Sequence, residues 1–245
     1  MKIGIFGDIH NNYEALTACY NALMQEGCER LVCTGDIVGY GGSPKECIDF
    51  IREKEIPAVK GNHDHYTTQS EKEWKIQPYA AAVVKWMQDT LDSDSINWLK
   101  GLPFTLEIEG IQIVHASLET PDGSCWPYIL NPQTAIFHFF MQNTQFCFYG
   151  HTHIPLLFTN NRGQVIYELL TSRRFPKIGA AKYLINSGSV GQPRDFNCKA
   201  SAVVFNMETH DIKLLRVDYD IKTAQKKILD AGLPENLAER LSSGR

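Results

Sequence analysis

Lys2-Ile3-Gly4-Ile5-Phe6-Gly7-Asp8-Ile9-His10 opens the chain, and Leu31-Val32-Cys33-Thr34-Gly35-Asp36 repeats its order: a short apolar run, a glycine, an aspartate. An apolar run with little alternation fits a strand buried on both faces, as in a parallel sheet, and the glycine marks the loop that follows. Between the two runs, Ala15, Leu16, Cys19 and Leu23 recur at helical spacing. Asn11 or Asn12 can cap that helix and Gly27 is placed to end it. A second helix is expected from Ser43, with Pro44 in its first turn and Glu46 completing a capping box. A third short strand, Ala58 to Lys60, then runs into Gly61-Asn62-His63-Asp64. Strand, loop and helix thus alternate as a βαβαβ unit, which sets the fold class as α/β.

Farther along, residues 66–100 interrupt this alternation with a helix from Pro78 to about Thr90 and a shorter one around Ser95 to Lys100, stopped by Gly101 and Pro103. This stretch reads as a helical insertion. Thr105 to Ile108 and Ile111 to His115 flank Glu109-Gly110 as a hairpin. Further strands are expected at Phe146 to Tyr149, Leu156 to Phe158, Val165 to Leu169, Lys182 to Ile185, Ser201 to Phe205 and Ile212 to Val217. That is enough strand for two sheets. A cap-like insertion at about 117–145 separates the hairpin from the strand at Phe146. The tail from about Thr223 is expected to be helical, divided at Gly232 and Pro234, with a frayed Ser-Ser-Gly-Arg end. With 245 residues and 43% hydrophobic content, the chain is expected to form one domain over 1–245.

Composition narrows the function. The formal charge of -4 gives no basic footprint, so no stable nucleic-acid complex is expected. Seven cysteines form an odd set without a CxxC pair and sit mostly in apolar runs, as reduced core residues of a cytoplasmic protein would. The opening apolar run is too short for a signal peptide, and no stretch offers the roughly eighteen apolar residues of a membrane span.

Five clusters of metal-ligand types follow predicted strands: Asp8-Ile9-His10, Gly35-Asp36, Gly61-Asn62-His63-Asp64, His115 and Gly150-His151-Thr152-His153. Ligands bind at the carboxyl ends of strands in α/β sheets, so the clusters are expected to converge at one edge. A lone Asp-x-His is weak, and an isolated histidine is ordinarily a satisfied core residue. Five of the eight histidines fall in these clusters, however, and the conjunction outweighs that ordinary reading.

In this order the blocks resemble the calcineurin-like metallophosphoesterase superfamily, whose pattern runs Asp-x-His, Gly-Asp, Gly-Asn-His-Asp/Glu, His, Gly-His-x-His. The likeness extends to its small prokaryotic phosphodiesterase and dinucleoside-polyphosphatase-like branch. The resemblance implies a four-layer α/β/β/α sandwich of two mixed sheets with helices outside. It also implies a two-metal site: Asp8, His10, Asp36 and His153 around one ion, Asp36, Asn62, His115 and His151 around the other, Asp36 bridging. His63 would be the proton donor rather than a ligand. Such mixed imidazole and oxygen ligands suit Mn²⁺ most, with Fe²⁺, Zn²⁺ or Ni²⁺ as alternatives, and the lack of Cys ligands argues against a structural zinc. Two ions about 3.5–4 Å apart activate a bridging water and neutralise a phosphoryl group.

The implied activity is hydrolysis of a small phosphorylated substrate, an ester or anhydride such as a nucleotide or dinucleoside polyphosphate, by a metal-bridging hydroxide. A general phosphodiesterase acting on cyclic nucleotides or nucleic-acid ends is the alternative within the enzyme class. A non-catalytic scaffold is the alternative outside it, and the presence of His63 with all seven ligands speaks against that.

One departure stands out. Many family members carry an Asp three residues after the bridging Asp, orienting the acid histidine; here that residue is Gly39. Asp64 could replace it, although a solvated or supporting role fits an adjacent residue better. The loop Gly39-Tyr40-Gly41-Gly42-Ser43 can bind an anion at a helix N-terminus, or be a plain turn and cap. Tyr40 and Arg194 are the candidate substrate-binding residues. Arg194 lies in Asn186 to Asp195, a run resembling small prokaryotic members, and either clamps a phosphate or makes a surface salt bridge. Trp126, Tyr128, Phe137, Phe139 and Phe140 are expected mostly in the core, with base stacking as the alternative. Arg173, Arg174 and Lys177 read as a solvated basic loop, and His65, His138 and His210 are assigned no function.

Overall fold

The strand alternation divides each sheet's side chains between two interiors. The structure is a computed structural model and describes residues 1–74, 76, 78–119, 122–176 and 179–245. Its first half comprises β1 (Lys2–Phe6), α1 (Tyr13–Gln25), β2 (Arg30–Cys33), α2 (Pro44–Glu53), α3 (Asn62–Thr67), α4 (Pro78–Thr90), α5 (Ser93–Gly101), β3 (Thr105–Ile108) and β4 (Ile111–Val114). Then follow α6 (Pro132–Met141), β5 (Phe146–Tyr149), β6 (Leu156–Asn161), β7 (Gln164–Leu169), β8 (Arg173–Arg174), β9 (Lys182–Asn186), β10 (Ala200–Asn206), β11 (Asp211–Val217), α7 (Ile221–Asp230) and α8 (Glu235–Glu239).

One sheet has the order β2-β1-β10-β11-β8 and the other β3-β4-β5-β9-β6-β7. Both are mixed: β1 runs parallel to β2 and antiparallel to β10, while β5 runs parallel to β4 and β9. Successive side chains in a strand point to opposite faces. Ile3, Ile5, Val203 and Phe205 of the first sheet therefore meet Ile113, Phe146, Phe148 and Ile185 of the second in a buried middle layer. Their neighbours Phe6, Ala202 and Val204 face the helices α1, α2 and α7. Cys147, Tyr149 and Leu184 face α6 on the other side. The result is the expected four-layer α/β/β/α sandwich.

Several local expectations change. The third strand shrinks to a single bridge between Cys33 and Ala58, because the Lys60 N–H is already paired with the Pro103 carbonyl and the chain turns into α3 at Asn62. Of the two candidate caps of α1, it is Asn12 whose side chain accepts from the Ala15 N–H. No capping box forms at Ser43: its hydroxyl instead accepts a hydrogen bond from Lys227 of α7. The C-terminal tail is docked rather than frayed, with the Gly244 carbonyl accepting from the Phe196 N–H at 2.8 Å.

Phe139 is buried as expected, but Phe137 and Phe140 are 60% and 78% exposed, and Tyr128 is half-exposed. Phe137 and Phe140 lie on the outer side of α6, beyond the reach of the layers, whereas Tyr128, in the segment before it, stacks on His151 with centroids 4.1 Å apart. Arg173 and Arg174 form β8 and pair with Glu168 and Asp211 instead of making a free loop; Lys177 lies outside the described residues. None of the seven cysteines forms a disulfide; five of them are buried and Cys125 is exposed. No helix among the described residues is long and apolar enough to cross a membrane.

Phe148 is fully buried between the sheets. Phe148→Ala should lower the unfolding free energy by about 3–5 kcal/mol, whereas the exposed Phe137→Ala should change it by less than about 0.5 kcal/mol. Urea denaturation of both variants checks this; equal effects would contradict the layer assignment.

Candidate metal centre

Asp8, Asp36, His115 and His151 all stand within three residues of a strand end, on β1, β2, β4 and β5. The first two loops are zipped together by backbone: the Asp8 N–H donates to the Gly35 carbonyl at 2.9 Å, and those of Ile9 and His10 to the Asp36 carbonyl at 2.8 and 3.0 Å. Tight reversal turns several of these residues left-handed: Asp8 (φ 48°), His10 (49°), Asp36 (51°), His151 (68°) and His153 (60°). That conformation costs an L-residue roughly 1–2 kcal/mol, and such outliers concentrate at functional sites. Two glycines permit the close approach. A Cβ on Gly61 would lie 2.1 Å from Asp36 Oδ1, and one on Gly150 2.6 Å from Asp8 Oδ2. This accounts for the glycine ahead of Asn62 and ahead of His151.

The histidines are oriented from behind by carbonyls. His10 Nδ1 lies 3.2 Å from the Val38 carbonyl, His153 Nδ1 2.6 Å from that of Gln192, His115 Nδ1 2.8 Å from that of Thr34, and His151 Nε2 3.1 Å from that of Trp126. A carbonyl oxygen can only accept, so each of these nitrogens carries the hydrogen and leaves the other as a lone pair. The lone pairs face one another: His10 Nε2 is 3.0 Å from His153 Nε2, and His115 Nε2 is 3.1 Å from Asn62 Oδ1 and 3.3 Å from Asp36 Oδ2. Acceptors at such distances repel unless a cation lies between them. Asp8, His10, Asp36 and His153 offer ligand atoms within 4.8 Å of one another, as do Asp36, His115 and His151. The donor set therefore fits divalent metal, with Asp36 common to both groups.

The electrostatics agree. Burial pushes Asp8 up to about 7 against the pull of His115. Burial also opposes ionisation of Asp36, but His115, His63 and His10 outweigh it and hold that carboxyl well below the usual range. For His115 burial alone would lower the pKa, yet Asp36 raises it to about 9. Positive charge between Asp36 and His115, from a proton or a metal ion, satisfies both.

The profile of the calcineurin-like phosphoesterase superfamily domain matches residues 1–210. The chain belongs to this superfamily. It is a phosphoric ester hydrolase. It is 35% identical to an uncharacterized protein of Methanocaldococcus jannaschii over 99% of this chain and 98% of that one. It is also similar to a metallophosphoesterase from Sphaerobacter thermophilus, with 31% identity, a TM-score of 0.82, and 100% and 99% of the two chains covered. A hypothetical protein from Pyrococcus horikoshii shares the fold at 20% identity and a TM-score of 0.79, over 100% and 98% of the chains.

The phosphoesterase places His63 beside these groups without the family's carboxylate. Gly39 has φ 128°, and a Cβ there would lie 2.5 Å from His10 Nδ1 and 3.1 Å from His63 Nδ1. Asp64 is no substitute: it is fully buried, not solvated, and accepts from the N–H groups of Val38 at 3.0 Å and Gly61 at 2.9 Å. His63 Nδ1 finds no hydrogen-bond partner among the described residues. Its ring is instead packed edge-on against Tyr40, with centroids 4.4 Å apart. Arg194 makes no ion pair among the described residues. Its guanidinium contacts Gln192 Oε1 at 2.8 Å and lies 5.8 Å over the Tyr40 ring; Asp195 takes the salt bridge of that loop, with Arg216.

Sequence reasoning missed the frame behind the centre. Asn186 donates to the Gly150 carbonyl and to Thr152 Oγ1, and Ser189 Oγ donates to the Asp8 carbonyl at 2.8 Å while accepting from the Gln192 N–H. The polar run after β9 was the available signal. Gly61→Ala should displace Asp36, because the new methyl would also meet the Asp36 backbone nitrogen at 2.3 Å. Metal content and activity should both fall, activity by about 10²-fold, as misplacement of about 1 Å costs; metal analysis showing full occupancy would contradict this origin of the glycine.

Proposed function

We propose that the phosphoesterase holds two divalent cations and hydrolyses a small phosphate ester or anhydride. The observation that carries this reading is that Asp36 belongs to both ligand groups, so a single buried carboxylate can link two ions. Asp8, His10, Asp36 and His153 would hold one, and Asp36, Asn62, His115 and His151 the other. Mn²⁺ is the ion best suited to this mixed imidazole and oxygen set, with Fe²⁺, Zn²⁺ and Ni²⁺ as alternatives. When bound, the pair would supply an acidified water as nucleophile and neutralise charge on the phosphoryl group.

The chain's own residues divide the remaining work. Arg194 places a guanidinium close enough to influence Asp8, His10 and His63 electrostatically, which supports a role in holding the anionic substrate. Tyr40, between Arg194 and His63, forms the adjoining wall. His63 is the proton donor to the leaving oxygen. Burial lowers its pKa to about 4, and an anionic phosphoryl group beside it is the charge that favours its protonated form. Nucleotides and dinucleoside polyphosphates are the substrate classes to compare. Cysteines that are mostly buried and form no disulfide support a cytoplasmic enzyme, and the net charge of -4 supports the absence of a stable nucleic-acid complex.

Metal analysis after loading with Mn²⁺ should give about two ions per chain, and activity should be lost on chelation and restored by metal. One ion per chain would remove the dinuclear reading. A positioned proton donor contributes about 10²- to 10⁴-fold, less where the leaving group is intrinsically stable. His63→Asn should therefore keep its metals, lose most activity on alkyl esters, and lose distinctly less on p-nitrophenyl esters. Equal losses on both would contradict the acid role, and loss of metal would make His63 a ligand.

A further inference from the structure

A cavity of about 320 Å³ opens beside the metal centre, with Asn62, His63 and His151 in its wall. Because His63 is read as the donor to the leaving oxygen, this cavity is where the leaving group goes. Its other walls come from two segments far apart in sequence. Tyr66, Ile76 and Ala80 enter from one side, and Trp126 and Tyr128 from the other, with Tyr40 beside His63. Four aromatic rings thus surround the space. None of the described residues lining it is Lys, Arg, Asp or Glu, and Arg194 is not among them.

A polyphosphate or other anionic leaving group would lose its hydration in such a cavity without gaining a cation, which is costly. An uncharged planar ring would gain stacking area instead, since every base has a face that aromatic side chains cover. The volume stands near the lower end of small-molecule sites, about 300 Å³, which suits one nucleoside rather than two.

We infer that the phosphoesterase acts on phosphate esters whose leaving alcohol is a nucleoside, the base stacking among Tyr40, Tyr66, Trp126 and Tyr128. This rests on the phosphoesterase reading of the same site. Water oxygen bonds to phosphorus, the bond from phosphorus to the nucleoside oxygen breaks, and that oxygen takes a proton from His63. The products are a free nucleoside and phosphate, or a phosphomonoester when the substrate is a diester.

The test compares compounds with the same leaving oxygen. Adenosine 5′-monophosphate and methyl riboside 5-phosphate, each also as its methyl diester, are assayed on the manganese-loaded enzyme, together with diadenosine tetraphosphate. The adenosine esters should be cut with kcat/KM at least about tenfold above their riboside counterparts, and above diadenosine tetraphosphate, given the usual worth of one stacked base. Calorimetry on the same enzyme should show adenosine binding and methyl riboside not binding. Tyr66→Leu and Trp126→Leu should each weaken adenosine binding at least about fivefold. Equal cleavage of adenosine and riboside esters, preference for diadenosine tetraphosphate, or adenosine binding indifferent to both substitutions would overturn the inference. If no compound is hydrolysed, p-nitrophenyl phosphate included, the phosphoesterase reading fails, and calorimetry alone decides the cavity.

Discussion

The geometry of the centre depends on Asp36, a buried residue used through every polar atom but its own backbone N–H. Its carbonyl accepts from the N–H groups of Ile9 and His10, which ties the loop after β1 to the loop after β2. Oδ1 accepts from the His63 N–H at 2.8 Å and thereby seats the start of α3. Oδ2 faces His115 at 3.3 Å and His10 at 3.5 Å, joining side chains from both sheets. This carboxylate accepts the His63 N–H and is held well below the usual carboxyl range, so it stays ionised, and its fixed charge sets the demand for positive charge at the centre.

Holding that arrangement requires an unfavourable backbone. Asp8, His10, Asp36, His151 and His153 are left-handed, and lone pairs of neighbouring imidazoles are pressed together. None of this is self-stabilising. The strain is tolerable because the strands feeding the loops are anchored in a fully buried layer, where Ile3, Ile5, Phe148 and Phe205 are inaccessible. Apolar burial at roughly 25 cal/mol per Å² is non-directional, so it can hold a strand without specifying its loop. Directional control comes from elsewhere: four carbonyls behind the histidines, and Asn186 and Ser189 behind Gly150 and Asp8.

This division explains what the sequence disclosed. Apolar runs and glycines announced the strands, and the convergence of Asp8, His10, Asp36, His115, His151 and His153 was legible because those side-chain types, each placed after a strand, could serve one metal centre. The carbonyls of Val38, Thr34, Trp126 and Gln192 were not legible, since any residue supplies a carbonyl. Ser43 and Glu46 had the spacing of a capping box, but Lys227, far away in the chain, took the hydroxyl. The aromatic residues of α6 and the segment before it misled for a related reason. Hydrophobicity shows that a residue can be buried, while only the position of the layers shows whether it is.

Gly39 links the missing carboxylate to the shape of the cavity. Its place is crowded by His10 and His63, and with φ 128° it adopts a conformation that side chains rarely tolerate. A carboxylate at this position would require the loop to withdraw from His63. Tyr40, the next residue, would withdraw with it. In the observed loop, Tyr40 is 7% exposed and its ring packs on both His10 and His63, with centroids 4.7 and 4.4 Å apart. The histidine is therefore positioned by packing rather than by a hydrogen bond to its Nδ1. Packing fixes the ring plane but stabilises an imidazolium less than an adjacent anion would, so under the acid role proposed for His63 more of the charge that favours protonation would come from the substrate's phosphate. One glycine thus exchanges a carboxylate behind His63 for an aromatic wall beside it.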